Sequence, residues 1–175
     1  MQVTPPSSWI ARHAHLIPPP GPVLDLAAGG GRHTRTFKGL GYAVTAVDRD
    51  VSGLADLSRD AQITVIEADL EDGGPWPLGE RRFAGIVVTN YLHRPLFPAL
   101  GRALAPGGVL LYETFGVGNE RFGKPSNPDF LLRPGELLDF AQAEGLIVRA
   151  YHCGAVTEPR PAVLQRVVAV RSGGL

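Results

Sequence analysis

The chain has little cysteine, no long apolar run and no excess of charge, and each absence excludes a class of protein. Cys153 is the only cysteine, which excludes an internal disulfide and a metal site built from several cysteines. No apolar run approaches the ~18 residues that a transmembrane helix needs. The first residues show no basic segment followed by an apolar one, so we see no signal peptide and expect a soluble cytoplasmic protein.

The charges of the chain balance, with seventeen basic and seventeen acidic side chains. A chain without surplus charge has no strong non-specific attraction for nucleic acid or anionic lipid. We therefore expect a small-molecule partner, and neither nucleic acid nor a membrane. The length of 175 residues, with 44% hydrophobic and 19% charged side chains, is typical of a single globular domain, which we predict over residues 1–175.

Short apolar runs alternate with helix-like segments along the chain. The predicted strands are 23–26, 42–47, 63–67, 83–89, 109–113, 146–152 and 163–170, and the predicted helices are 7–17, 31–40, 50–60, 96–104 and 134–144. This alternation predicts an α/β fold with a doubly wound, mostly parallel seven-stranded sheet. The link from Cys153 to Pro161 is too short for a parallel crossover, so we predict that the last strand is antiparallel. Residues 1–22 supply a short helix and a proline-rich lead-in.

Acidic and small residues follow the predicted strands at the end where each strand stops. They are Asp25 with Ala27 to Gly31, Asp48, Asp69-Leu70, Asn90-Tyr91 and Glu113. Ligands of open α/β sheets bind at the carboxyl ends of the strands, so these residues are predicted to share one rim. Small residues let backbone N–H groups approach a ligand, and an acid after the second strand can accept hydrogen bonds from ribose hydroxyls.

This ordered set resembles the class I S-adenosylmethionine-dependent methyltransferases, over nearly the whole chain from Val23 to Val170. The resemblance is carried by the run from Val23 to Gly31, by Val47-Asp48, by Ala68-Asp69-Leu70 and by the run from Leu104 to Leu110. It implies a Rossmann-like methyltransferase fold with a reversed seventh strand, and S-adenosylmethionine as the cofactor. Arg32-His33 is similar to a subgroup of small bacterial methyltransferases that includes the tellurite-resistance type.

The resemblance also implies which residues hold the cofactor. The glycine-rich turn would hold its methionine part, the acid at Asp48 its ribose, and Asp69 with the N–H of Leu70 its adenine. The full predicted set is Asp25, Ala27, Ala28, Gly29, Gly31, Asp48, Arg49, Asp69, Leu70 and Asn90. One departure is Ala27, where the family usually has glycine, and its methyl group narrows the approach to the ligand.

Two other functions stay open at this point. The run from Gly29 to Thr34 fits the dinucleotide motif G-x-G-x-x-G except at Thr34. Against a dinucleotide-binding oxidoreductase, Asp25 interrupts the first strand and the chain has no room for a second catalytic domain. The other alternative is a non-catalytic binding module that keeps the methyltransferase fold.

The candidate residues for chemistry follow the fourth and fifth strands. Tyr91 and His93 are the predicted catalytic residues, since this position faces the transferred methyl group in the resembling family; the alternatives are a core tyrosine and a surface histidine. The long loop 115–133 is predicted to face the substrate. The predicted substrate-binding residues are Arg94, Glu113, Arg121 and Arg133. No metal site is predicted.

Overall fold

Seven strands form one sheet in the computed structural model, which describes residues 4–173. The strands are β1 (Val23–Leu26), β2 (Val44–Asp48), β3 (Ile63–Glu67), β4 (Phe83–Thr89), β5 (Leu104–Phe115), β6 (Leu146–Val156) and β7 (Ala162–Arg171). Their order is β3-β2-β1-β4-β5-β7-β6. The first five strands pair in parallel, and β7 runs antiparallel to both β5 and β6. The predicted fold class is confirmed, including the reversed last strand.

Four α-helices flank the sheet, and several differ from their predicted lengths. They are α1 (Ser8–His13), α2 (Arg32–Gly39), α3 (Phe97–Ala103) and α4 (Glu136–Ala143). The helix predicted over 7–17 is α1 followed by a 3-10 turn over Ala14–Leu16. Its first turn is capped by the Ser7 side chain, which accepts a hydrogen bond from the Ile10 N–H.

The helix predicted over 50–60 was wrong, because this segment forms a 3-10 turn over Ser52–Leu57. The Asp50 carboxylate accepts the Ser52 N–H at 3.0 Å, which fixes a local turn in place of a helix start. Gly53 then packs closely on the backbone of Gly30: a Cβ added to Gly53 would lie 3.0 Å from the Gly30 Cα. The segment is thus shaped by its contact with the loop after β1.

The bounds of some strands also differ from the prediction. β5 begins at Leu104, five residues earlier than predicted, and a register shift between Phe83 and Gly85 lets β4 follow the extra length. β2 begins at Val44, two residues later than predicted. Tyr42 lies before the strand as a buried side chain, and its hydroxyl donates to the Ile17 carbonyl at 2.7 Å. These differences lie at the ends of the strands and leave the order of the sheet unchanged.

Both faces of the central strands are buried, as expected for parallel strands covered by helices. Leu24 and Leu26 of β1 share one apolar cluster with Leu100 of α3 and Phe140 of α4. Val23 points to the other face and shares a second cluster with side chains of α1, α2 and the turn over 52–57: Ile10, Phe37 and Leu54. The predicted single domain extends beyond the described residues at 1–3 and 174–175.

Asp25 lies between these apolar neighbours on the α2 face of β1, with only 2% of its surface exposed. Because β1 to β5 run parallel, their carboxyl ends meet at one edge of the sheet. Asp25 is buried beneath this edge. Within residues 4–173, no helix combines the length and the apolar character that crossing a membrane requires.

The close packing of Gly85 against Ile17 allows the contact between the sheet and the N-terminal segment to be tested. A Cβ added there would lie 2.5 Å from the Cδ1 of Ile17 and 2.9 Å from two further carbons of that side chain. We expect Gly85→Ala to lower the free energy of unfolding by about 1–3 kcal/mol through overpacking. Urea denaturation of Gly85→Ala, Ile17→Ala and the double variant measures this. If the contact exists, the decrease in unfolding free energy of the double variant should be smaller, by at least about 1 kcal/mol, than the summed decreases of the two single variants. Strict additivity of the two decreases would contradict the contact.

Candidate functional site

The loop that follows β1 turns sharply and leaves its backbone open. Ala27, Gly29 and Gly31 all have left-handed backbone angles, with φ of 55°, 53° and 75°. A Cβ at Gly31 would meet the Leu54 side chain at 2.4 Å, so that position needs glycine for packing as well as for its backbone angle. Gly29 and Gly30 have no other atom within 4 Å of an added Cβ. The loop is thus fixed on its Gly31 side and open at Gly29 and Gly30.

The Asp48 carboxylate joins this loop to the end of β2. Its Oδ2 accepts the Gly29 N–H at 2.7 Å, and its Oδ1 accepts the Asp50 N–H at 3.0 Å. The Asp48 carbonyl in turn accepts the Ala68 N–H at 2.9 Å, one residue before Asp69. A short network of hydrogen bonds therefore sets the relative positions of the ends of β1, β2 and β3.

Two cavities lie against these strand ends. The Asp48 cavity, of about 370 Å³, is lined by Ala27, Asp48, Arg49, Ala68, Asp69, Leu70, Glu71, Asn90, Tyr91 and Phe130. The glycine cavity, of about 470 Å³, is lined by Thr4, Ala27, Ala28, Gly29, Gly30, Arg32, His33, Arg35, Thr89 and Asn90. Eight of the ten predicted cofactor residues line one cavity or both; the exceptions are Gly31, at the start of α2, and Asp25.

Asp25 lies beneath the loop and supports it from inside the protein. Its Oδ2 accepts the Thr34 hydroxyl of α2 at 2.6 Å. Burial raises the pKa of Asp25 to about 6, and the hydrogen bond from Thr34 and the nearby Arg32 oppose that rise. The carboxylate therefore ties the start of α2 to β1 and does not face either cavity.

His33 of α2 lines the glycine cavity and connects α2 to the start of α1 and to the end of β4. The ring is buried, its Nε2 accepts the Ser7 N–H at 3.1 Å, and its Nδ1 lies 3.4 Å from the Thr89 hydroxyl at the end of β4. Burial, with a smaller contribution from the Arg32 charge, lowers the pKa of His33 to about 4. The neutral ring can therefore act as acceptor and donor at once, as these two contacts require.

Asn90 occupies the point where the cavities meet. It is one of the two non-glycine residues with a left-handed φ, at 55°, in the described chain, and its N–H donates to the Glu113 carbonyl at 2.9 Å. A third cavity, the Glu113 cavity, has a volume of about 570 Å³ and is also lined by Asn90. Strained backbone positions concentrate at functional sites, and this one joins three cavities.

The Glu113 cavity combines apolar walls with a buried ion pair. Its lining consists of Thr4 to Ser8, Arg32, Asn90, Glu113, Phe115, Val156, Glu158 to Arg160, Ala162, Leu164 and Arg166. The Arg166 Nε donates to the Glu113 Oε2 at 2.6 Å, and both side chains are mostly buried. The guanidinium also lies over the Trp9 ring, 5.8 Å from its centroid. α1 thereby helps to hold the pair at the edge of the cavity.

The two residues predicted to be catalytic lie apart from that pair. Tyr91 lines the Asp48 cavity beside Glu71, and its buried hydroxyl has no hydrogen-bond partner among the described residues. Burial and the neighbouring Glu71 raise the pKa of Tyr91 well above its ordinary value, so its hydroxyl keeps its proton. His93 lines none of the three cavities, and its carbonyl accepts the Leu96 N–H at the start of a 3-10 turn.

Of the predicted substrate residues, only Glu113 lines one of these cavities. The Arg94 guanidinium is engaged with the Glu136 carboxylate at 2.5 Å and with the carbonyls of Asp129 and Leu131. Arg121 donates to the Gly118 carbonyl at 3.1 Å, and Arg133 is exposed at the start of α4. The positions of these three arginines give no support to a role in substrate binding.

The loop 115–133 does face the cavities, through residues other than Arg121 and Arg133, the two loop arginines predicted to bind substrate. Phe130 lines the Asp48 cavity, and a further cavity of about 540 Å³ is lined by Asn90, Phe115, Lys124 to Asn127, Phe130 and Arg160. Arg94 holds the end of this loop against α4. Arg166 was not among the predicted residues, although a charged residue within the apolar run of a strand predicted to be antiparallel is a usable signal.

A family model described as a methyltransferase domain matches residues 23–108 of this chain. The match spans β1 to the first part of β5, and so includes the Asp48 cavity and the glycine cavity except for Thr4 and Phe130. No match was found among curated protein sequences.

Solved structures of methyltransferases share the fold over almost the whole chain. The 1,6-didemethyltoxoflavin-N1-methyltransferase of Burkholderia thailandensis, with 1,6-didemethyltoxoflavin and S-adenosylhomocysteine bound, is 22% identical and has a TM-score of 0.69; the alignment covers 94% of this chain and 76% of that one. TehB from Haemophilus influenzae is 18% identical, with a TM-score of 0.73, over 98% of this chain and 64% of that one. The glycopeptide N-methyltransferase MtfA, in complex with S-adenosylmethionine, is 22% identical, with a TM-score of 0.63, over 96% and 95%.

Identities of this size show a shared fold. Together with the domain match, they confirm the predicted resemblance to class I S-adenosylmethionine-dependent methyltransferases. The predicted cofactor, S-adenosylmethionine, agrees with the match to a methyltransferase domain and with the S-adenosylmethionine complex of MtfA. The sheet order also disfavours the dinucleotide-binding alternative, because the order of that fold is 3-2-1-4-5-6, without a strand inserted between the last two.

The depressed pKa of His33 predicts how stability changes in acid. Below pH 6.5 the unfolded chain binds a proton at His33 while the folded chain does not until about pH 4, so stability falls across this range. Asp25 acts in the opposite sense, since its raised pKa stabilises the fold at low pH and that contribution is lost as pH rises through about 6.

Comparison with His33→Gln isolates the histidine, because Asp25 is present in both proteins and the glutamine oxygen can still accept the Ser7 N–H. Between pH 7 and pH 4.5 we expect the parent protein to lose roughly 2–3 kcal/mol of unfolding free energy relative to the variant. Urea denaturation at the two pH values measures the difference. An equal change in both proteins would show that His33 is protonated in the folded state.

Proposed function

We propose that this chain, whose residues 23–108 match a methyltransferase domain, binds S-adenosylmethionine and transfers its methyl group to a small-molecule acceptor. The observation that carries the proposal is the position of Asn90. It lines the Asp48 cavity, the glycine cavity and the Glu113 cavity, and so is common to all three. A donor in the first two cavities and an acceptor in the third would meet there.

The residues of the Asp48 cavity fit the adenosine part of this cofactor. Each Asp48 oxygen accepts one backbone N–H, and a carboxylate has lone pairs left for ribose hydroxyls. Asp69 and Leu70 would meet the adenine edge, and Tyr91 and Phe130 would cover its faces. The buried hydroxyl of Tyr91 lies near Glu71 without a hydrogen bond of ordinary geometry to a described residue, and so leaves a donor for a ligand in this cavity.

The glycine cavity fits the methionine part. The open space beside Gly29 and Gly30 gives a ligand access to the backbone of the loop. Arg35, which also lines this cavity, supports the loop, since its guanidinium donates to the Gly30 carbonyl at 2.5 Å and to the Asp56 carboxylate at 2.6 Å. Asp25 takes a supporting role in this proposal, holding Thr34 beneath the loop, in place of the direct contact that the sequence suggested.

The bound cofactor would supply a methyl group activated by a positively charged sulfur. The work left to the protein is to hold the donor and the acceptor in line and to exclude water. Asn90 is suited to this because its strained backbone is held by the hydrogen bond to the Glu113 carbonyl. Phe130 of loop 115–133, a segment that Arg94 holds through the carbonyls of Asp129 and Leu131, lines the Asp48 cavity and would limit the access of water there.

A small molecule is the acceptor that the dimensions favour. The Glu113 cavity, at about 570 Å³, falls within the range that drug-sized ligands occupy. The balanced charge of the chain gives no broad basic surface for nucleic acid. The Burkholderia thailandensis methyltransferase, which shares the fold, was crystallised with a small-molecule acceptor.

Calorimetric titration with S-adenosylhomocysteine tests the proposal. We expect the parent protein to bind it, and Asp48→Asn to bind at least about tenfold more weakly, because one charge-assisted acceptor is lost. Asp60→Asn is the matched control, since Asp60 makes the same turn contact, accepting the Gln62 N–H at 2.9 Å, before β3 at the other edge of the sheet. Thermal unfolding of each variant separates loss of the site from loss of the fold. Folded parent protein that fails to bind at millimolar ligand would end the proposal.

A further inference from the structure

The Glu113 carboxylate lines its cavity with only one of its two oxygens hydrogen-bonded by the residues that the structure describes. Arg166 donates its Nε–H to the Oε2 of Glu113, while Oε1 has no hydrogen bond to any residue in the described range 4–173. Glu113 lines the cavity and is itself only 5% exposed. This oxygen is not among the fully buried polar atoms, so it remains open to a donor that enters the cavity.

The ion pair fixes which oxygen is presented. The Arg166 side chain is 13% exposed and is held between the Glu113 carboxylate and the Trp9 ring, so it is not free to move to the other oxygen. Its positive charge also balances that of Glu113, so the pair itself has no surplus charge to attract a cation. Arg32, Glu158 and Arg160 supply the other charges of the lining, and within the pair Glu113 presents a hydrogen-bond acceptor whose charge is already paired.

The position of Glu113 relates this oxygen to the point of transfer. Glu113 lies opposite Thr89 in the pairing of β5 with β4, and its carbonyl accepts the N–H of Asn90. The acid is thus next to the residue that joins the cavities. The wall beyond it is apolar, formed by Phe115, Val156, Ala162 and Leu164.

We propose that Glu113 accepts a hydrogen bond from the O–H or N–H group that is to be methylated, so that the cavity takes apolar acceptors with a protic oxygen or nitrogen. This rests on the proposed function and adds the acceptor class to it. A thiol is a weak hydrogen-bond donor, and an ether or a fully ionised oxyanion has no proton to give. Arg166 is a positioning residue, which acts through Glu113.

Matched probes test the acceptor class on the protein saturated with S-adenosylhomocysteine. The probes are 6-hydroxyquinoline, 6-aminoquinoline and 6-methoxyquinoline, which share one ring system and differ in the donor. By titration calorimetry or ligand-observed NMR, we expect the hydroxy and amino probes to bind at least about tenfold more tightly than the methoxy probe. Equal binding of the three, or binding of none, would overturn the proposal.

Glu113→Gln identifies the group responsible. Because the Arg166 Nε–H requires the oxygen of the side chain, the glutamine would present its NH₂ group to the cavity and turn the acceptor into a donor. We expect the preference for the protic probes to disappear. Asp60→Asn is the control, since it makes the same acid-to-amide change in an ion pair, with Lys38, that lines none of the cavities described here.

The two proposals fail in different ways. Absence of S-adenosylhomocysteine binding in the parent protein would remove the proposed function before any probe is added. Binding of S-adenosylhomocysteine without discrimination between the probes would remove only the role of Glu113. A preference for protic probes that persists in folded Glu113→Gln would likewise overturn the role of Glu113. If that variant does not fold, the preference of the parent protein among the three probes is the test.

Discussion

The hydrogen bond from the Gly29 N–H to the Asp48 carboxylate joins the two strand ends on which the rest of the site depends. It fixes the loop after β1 against the end of β2, and the Asp48 carbonyl continues the connection to β3 through the Ala68 N–H. Beneath it, Asp25 holds Thr34 and the start of α2. Because the loop has left-handed angles at Ala27, Gly29 and Gly31, it needs these external contacts to keep its shape. Together they create the open backbone surface of the glycine cavity.

A second set of contacts joins the cofactor side of the site to the acceptor side. His33 receives the Ser7 N–H at the start of α1 and contacts Thr89 at the end of β4, while Trp9 of the same helix covers Arg166. α1 therefore bridges the glycine cavity and the Glu113 cavity. Displacement of this short helix would disturb both cavities, so under the proposed function one structural element would link the binding of donor and acceptor. The burial that depresses the pKa of His33 keeps the bridge neutral near pH 7.

Sequence reasoning located the rim of the sheet because parallel strands end on the same side, and Asp48, Asp69 and Asn90 follow three such strands. It could not place Asp25, since a carboxylate inside a strand can face a ligand or a neighbouring helix, and only the three-dimensional contact with Thr34 decides between them. The same limit applies to Arg94, whose guanidinium closes a loop to α4 across more than thirty residues of sequence. His93 adjoins the rim in sequence, but the chain turns away before it reaches the cavities.

The two buried acid–arginine pairs show why residue type alone does not identify a binding group. In one pair, Glu136 uses both oxygens, since Oε1 receives the Arg94 Nε and Oε2 receives another Arg94 nitrogen and the Arg133 N–H. In the other pair, Glu113 uses one oxygen and faces a cavity with the other. The first arrangement is complete within the protein and stabilises a loop. The second is incomplete within the described residues, and that unused capacity, more than the charge of the acid, is what makes Glu113 a candidate for contact with an acceptor.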